Sequence, residues 1–215
     1  MDGVTARHTP LFSTPLLRLL SPDDRGIARG LEMIAFPGTP VEILRAEGES
    51  AYVSLLGYPN AGYIEASAID RGGSPRACCI PSLDAMVRQM VSRVGLPYVW
   101  GGNWVSPGFE GLDCSGLLYE ASGGFTPRNT RELASFGTAI DDPSNVKALD
   151  ILLYNEGVDG WEGHIIIAIS ESEVIESKHE YGGVVVSSVA ERLAAIRHRP
   201  IWHRRWHPDA LQKFS

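Results

Sequence analysis

The sequence predicts an α+β domain preceded by a small all-β barrel. Three observations carry that expectation. Over residues 1 to about 75, short strand-like runs alternate with turns that hold Gly or Pro. The segment 71–81, RGGSPRACCIP, holds two Gly and two Pro and reads as a connection. Beyond it, a helical block gives way to a block of β-rich runs. The predicted divisions are a barrel over 1–75, a linker over 76–82 and an α+β domain with a C-terminal tail over 83–215.

In the barrel the strand-like runs are Val41 to Leu44, Ala51 to Leu56 and Tyr63 to Ala66. Gly38-Thr39-Pro40, Ala46 to Glu49 and Gly57 to Gly62 are the turns between them. After the linker, Ser82 is a good N-cap. Leu83, Met86, Val87, Met90, Val91 and Val94 then line one helical face, and Gly95 closes it. Core packing is the expected use of that face. A second helix follows Asp113-Cys114-Ser115-Gly116, and a short third one is expected over Arg131 to Phe136. Ile151 to Tyr154, Ile165 to Ile169, Val174 to Ser177 and Val184 to Val186 read as strands, with a loop over Asn155 to Gly160. The run Arg197 to His207, RHRPIWHRRWH, lacks clean metal-ligand spacing and contains Pro200, so a basic, partly packed tail is expected.

Composition bounds the function. The chain has 215 residues, 44% of them apolar and 21% charged, so it can bury real cores. A net charge of −7 argues against nucleic acid as a partner, because phosphates call for a basic face. No run is long and apolar enough to span a bilayer. The start, MDGVTARHTPLFSTPLLRLLSPDD, lacks the basic, apolar and small-residue parts of a signal peptide. A cytoplasmic monomer is the expectation, or a secreted or cell-envelope protein if the natural chain begins earlier. The cysteines are Cys78, Cys79 and Cys114. Neither a disulfide framework nor a CxxC pair is present, and no metal or other cofactor is expected.

The stretch with chemistry in it runs from Leu96 to Ser122. Its Gly-rich approach feeds a helix at Cys114, where unpaired N–H groups and the positive end of the helix dipole meet. A thiol placed there ionises more readily, and the thiolate is the nucleophile. Such a nucleophile needs a base and the base an orienting partner. His164 opens the most β-like run in the chain, and Glu176 lies twelve residues on, in the next strand. Two antiparallel strands can place the pair side by side if their parity agrees. Singly, each residue has a plainer reading: a buried small hydrophobe, a hydrogen-bonded strand histidine, a solvated glutamate.

Three more signals sit around that core. Pro97-Tyr98-Val99-Trp100-Gly101-Gly102, Asp113-Cys114-Ser115-Gly116, Pro127-Arg128-Asn129-Thr130, Leu149 to Tyr154 and Gly163-His164 occur in that order. The chain over about 83–190 thereby resembles the NlpC/p60-type cell-wall peptidases, which are papain-like cysteine peptidases. The first 75 residues resemble a bacterial SH3-type barrel, with Gly62-Tyr63-Ile64 where such barrels often carry Gly-Trp-Val. The resemblance implies hydrolysis of murein (peptidoglycan) peptides, usually at the bond between γ-D-glutamate and a diamino acid. It implies Cys114 as nucleophile and His164 as base. The third residue of the family is usually His, Asn or Gln; its place here falls on Glu176, with His179 as the competitor. Tyr98, Asp113, Ser115, Arg128 and Thr130 are carried over for substrate binding, Asp113 for a free amine. The Cys114 N–H is carried over for the oxyanion. In relatives with such a barrel, the barrel can wall off one end of the cleft and demand a free N-terminal L-Ala; Glu65, Tyr58 and Tyr63 are the candidates. Asn103 to Gly111 is longer than the usual connection. An amidase or acyltransferase with the same Cys and His, or an inert wall-peptide binder, are the alternatives.

Overall fold

Side-chain alternation and capping build two compact units in the computed structural model, which describes residues 2–24, 26–77, 79–142, 144–155 and 163–211. Cys78 and residues 156–160 of the predicted Asn155-to-Gly160 loop lie outside the described residues. The first unit comprises Met1–Cys79 with Val99–Leu112; the second comprises Ile80–Tyr98 with Asp113–Ser215.

The first unit is all antiparallel. Its strands are β1 (Gly3–Thr5), β2 (Thr9–Phe12), β3 (Leu31–Ala35), β4 (Pro40–Glu47), β5 (Ser50–Leu55), β6 (Gly62–Glu65) and β7 (Ile69–Asp70). They form one sheet in the order β3-β2-β6-β5-β4-β1-β7. The barrel expected for residues 1–75 is thus an open sheet: no ladder joins β3 to β7 among the described residues. At the β3 edge the Ile34 N–H and C=O are both met by the Asn103 side chain. Its Oδ1 accepts from Ile34 N at 2.6 Å, and its Nδ2 donates to Ile34 O at 2.9 Å. An amide side chain thus covers the edge where a further strand would pair. Gly101 permits this approach. Its φ is +75°, and a Cβ there would fall 2.3 Å from the Leu31 carbonyl oxygen. Phe12, Leu31 and Ile34 bury against Val99, Trp104 and Phe109, so the Asn103-to-Gly111 insertion is part of this unit's core.

Among the described residues the second unit joins five α-helices and a six-stranded antiparallel sheet. The elements are α1 (Leu83–Val91), α2 (Cys114–Ala121), α3 (Thr130–Leu133), β8 (Thr138–Ile140), β9 (Ile151–Asn155), β10 (Gly163–Ala168), β11 (Glu173–Lys178), β12 (Gly183–Ser188), α4 (Val189–Ile196), β13 (Ile201–Arg205) and α5 (Pro208–Leu211). The strand order is β12-β11-β10-β9-β13-β8. Helix α1 is capped by Ser82, whose side chain accepts from Ala85 N. It buries Met86 and Met90 but ends at Val91, so Val91 and Val94 of the predicted stripe are exposed. Arg93 grips the buried Glu120 of α2 with two hydrogen bonds of 2.9 Å.

The predicted C-terminal tail is more integral than expected, because β13 pairs with both β9 and β8. Its basic residues are drawn inward by Asp150, which has no exposed surface. Arg205 donates to that carboxylate at 2.7 and 2.5 Å, and His203 Nε2 lies 2.7 Å away.

Alternation along β9, β10 and β11 puts one apolar cluster on a common face: Leu152, Tyr154, Ile166, Ala168 and Val174. Helix α4 covers that face with Val189 and Ile196.

Candidate active site

Helix α2 fixes the thiol. Asp113 is its N-cap, with extended backbone, and its Oδ1 accepts from Gly116 N at 2.6 Å. All eight residues of α2 are buried, so Cys114, its first residue, cannot fray away. The thiol meets the unpaired N–H groups and the positive dipole end there.

The candidate base lies on β10. His164 stands opposite Tyr154 of β9. The β10–β11 ladder pairs Ile167 with Ile175 and Ala168 with Val174. Extending it puts Glu176 opposite Ile166, two residues from His164 and therefore on its face. The carboxylate closes that diagonal: His164 Nε2 and Glu176 Oε2 are 2.8 Å apart. His179 opens a short 3₁₀ turn instead, with its ring edge-on to Tyr98 at 5.9 Å.

The electrostatics follow. Burial alone pushes an imidazole down. Here the Cys114 thiolate charge and its hydrogen bond, joined by the Glu176 carboxylate, outweigh burial and raise His164 from 6.5 to about 9. With Nε2 held by Glu176, Nδ1 is the ring nitrogen left to serve the thiol. His164 is thereby held as an imidazolium beside Cys114 at neutral pH.

Around the α2 N-terminus lies a second polar group. Arg128 reaches both Asp113 oxygens, Nη1 to Oδ1 at 3.0 Å and Nη2 to Oδ2 at 2.5 Å, and Nη1 also reaches Ser115 Oγ at 2.7 Å. This fork holds the loop before α3 against the start of α2. Thr130 is the first residue of α3. Tyr98 is placed by backbone pairing: Gly95 N and Val184 N exchange hydrogen bonds with Val184 O and Leu96 O, and Tyr98 N donates to Gly182 O at 3.3 Å. Gly183 makes room for that crossing, since a Cβ there would fall 1.9 Å from the Leu96 carbonyl oxygen. In the first unit, Glu65 accepts from Arg7 and Ser67, Tyr58 donates to Glu32, and Tyr63 accepts from Arg45. No group of three His, Cys, Asp or Glu side chains suited to a metal occurs among the described residues.

One residue of the site escapes a reading of the sequence. Arg192 of α4 donates Nη2 to Glu176 Oε2 at 3.0 Å and to the Tyr154 hydroxyl at 3.2 Å. Its Nε lies 2.5 Å from Glu176 Oε1, an ion pair without hydrogen-bond alignment. A signal was available. Ser188-Val189-Ala190-Glu191 is a capping box, formed in the structure, and announces α4. Val189, Arg192 and Ile196 then share the inward helical face.

The chain resembles known proteins. A model described as the NlpC/P60 family matches residues 95–202. The peptidoglycan endopeptidase RipB of Mycobacterium tuberculosis is 29% identical over 146 residues, 62% of this chain and 59% of RipB. The chain thus spans under two thirds of that relative's length. A crystal structure of an NlpC/P60 family protein from Bacillus cereus superposes with a TM-score of 0.51 at 21% identity. It covers 94% of this chain and 64% of that one, and shows a shared fold. No helix among the described residues is long and apolar enough to cross a membrane.

Proposed function

Because the chain belongs to the NlpC/P60 family, we propose that it is a cysteine peptidase of peptidoglycan peptides, cutting the γ-D-glutamyl–diamino acid bond. One observation carries this reading: a buried His164, held by Glu176, whose proton affinity is raised by a thiol at a helix N-terminus. The name of the relative RipB supports the substrate class.

In this mechanism the Cys114 thiolate attacks the carbonyl carbon of the γ-glutamyl amide. The C=O electrons move onto oxygen, where the Cys114 N–H at the head of α2 is the donor available for the oxyanion. Collapse breaks the C–N bond, and the His164 imidazolium gives its proton to the leaving amine. A thioester remains on Cys114. His164, now neutral, takes a proton from water as the water attacks. The acid leaves, and the thiolate–imidazolium pair is restored. Glu176 keeps the ring aimed and stabilises its charged form.

The finer reading concerns substrate ends. Asp113 and Ser115 are proposed to receive a free N-terminal amine, with Tyr98 along the cleft and Arg128 and Thr130 shaping it. Arg128 already pairs with Asp113, so the amine would have to join an existing ion pair. The β-rich unit is proposed as an SH3-type module whose sheet is left open.

Incubation with L-Ala-γ-D-Glu-diaminopimelate and its N-acetylated form, followed by mass spectrometry, tests both levels. Release of L-Ala-D-Glu from the free peptide alone, abolished by Cys114→Ala, is the expected result. Cleavage of both forms keeps the peptidase and removes the amine pocket. Cleavage of neither overturns the substrate class.

A further inference from the structure

We propose that Arg192 is a positioning residue that lets a glutamate serve as the third member of the site. The proposal rests on reading Cys114, His164 and Glu176 as the catalytic group.

A neutral third residue could orient His164 without help. A glutamate cannot do so as cheaply, because Glu176 has no exposed surface. A lone buried carboxylate takes up a proton or loses much of its solvation energy. It could also turn its oxygens away from the ring. Arg192 answers both problems with one planar group. It lies at both oxygens: Nε at Oε1, 2.5 Å, and Nη2 at Oε2, 3.0 Å. Oε2 is therefore shared between Arg192 and His164, which fixes the oxygen that faces the ring.

The guanidinium is itself held. Its Nη2 reaches the Tyr154 hydroxyl at 3.2 Å and its Nη1 the Tyr181 hydroxyl at 3.3 Å. Lys178 also donates to the Tyr154 hydroxyl, at 3.1 Å. The groups facing the pair are thus Cys114 from α2, Tyr154 from β9, His164 from β10, Lys178 from β11, Tyr181 from the 3₁₀ turn and Arg192 from α4. The four central groups, thiolate, imidazolium, carboxylate and guanidinium, sum to zero charge. A buried assembly of that kind is tolerated as a set and penalised when one member is removed.

The test uses the full chain and compares wild type, Arg192→Gln, Glu176→Gln and the double variant. The readout is the rate of Cys114 carbamidomethylation by iodoacetamide from pH 4 to 10, followed on the Cys114 peptide by mass spectrometry. It needs no peptide substrate, so an inert peptide assay would sink the substrate reading and leave this one standing. In Arg192→Gln the acid limb of the profile is expected to move up by about one pH unit, as an uncompensated carboxylate beside a thiolate takes up protons more readily. In the double variant the charge balance returns, and its profile is expected to match that of Glu176→Gln within about threefold. A wild-type profile in Arg192→Gln, with only a lower Tm, overturns the proposal. So does a double variant whose loss is the product of the two single losses. If Arg192→Gln does not fold, Glu176→Gln and the double variant carry the test alone: coincident profiles support the clamp, and a further tenfold fall removes it.

Discussion

Two trios in the second unit, each of a carboxylate, a histidine and an arginine, serve different ends. Glu176 gathers His164 and Arg192; Asp150 gathers His203 and Arg205. Both carboxylates have no exposed surface, and in both the histidine offers Nε2 to the acid. What differs is the other side of the ring. His164 faces the thiol of Cys114 at a helix N-terminus, whereas His203 Nδ1 is spent on the Asp142 carbonyl at 3.1 Å. A carboxylate–histidine–arginine trio is thus not a site by itself. The proposed site differs from the Asp150 trio in having a thiol, where His203 has a backbone carbonyl, as the ring's second partner.

The comparison breaks most sharply at the thiol. Cys114→Ala is expected to lower peptide cleavage by about four orders of magnitude or more. Asp150→Ala is the counterpart in the other trio. It is expected to cost about 3–5 kcal/mol of unfolding free energy, because Arg205 and His203 lose their buried partner. At a temperature where the variant stays folded, its Cys114 alkylation profile is expected to match wild type. A large shift in that profile would merge the two trios into one network.

Gly183→Ala comes next. The new Cβ would strike the Leu96 carbonyl oxygen, so the Gly95–Tyr98 pairing to β12 must part. A loss of about 1–3 kcal/mol is expected, with a rise in KM exceeding the fall in kcat if Tyr98 lines the cleft.

The smallest effect is in pH dependence, and the trios have opposite signs. His164 is raised from 6.5 to about 9, so between those values the native chain holds a proton that the unfolded chain has released. Its contribution is complete below about 6.5 and fades as pH rises through 9. At Asp150 burial pushes the carboxyl up, but hydrogen bonds from Arg205 and His203 outweigh it and hold it below its ordinary value. That contribution is present above the ordinary carboxylate range and fades in acid. Tm measured against pH should therefore lose part of its alkaline slope in His164→Asn and part of its acid slope in Asp150→Asn.

Much of the site is legible in the sequence because its parts lie on periodic elements. The Asp113 cap puts Cys114 at a helix start, and two adjacent strands make His164 and Glu176 candidate neighbours, conditional on their parity. Arg192 and the Asp150 trio are not legible in the same way. They depend on which charge meets which across the sheet, and a basic run such as Arg197 to His207 looks solvated until Asp150 is known to lie beneath it. The strands β1, β2 and β7 have only 3, 4 and 2 residues, too few for an alternation to show. The open edge of the first sheet is hidden for another reason: the residue that covers it, Asn103, lies 69 positions from Ile34.

The stretch 99–112 packs with the first unit, although 80–98 before it and 113 onward belong to the second. The backbone therefore passes between the units three times, near 79, near 98 and near 112. Cys114 follows the last passage by two residues. Modular exchange by a single cut in the Gly/Pro-rich connection at 71–77 is closed to this architecture. A protease acting there would nick the chain without dividing it into its two units, and a graft of the nucleophile-bearing unit onto another partner would have to carry or rebuild the 99–112 excursion as well.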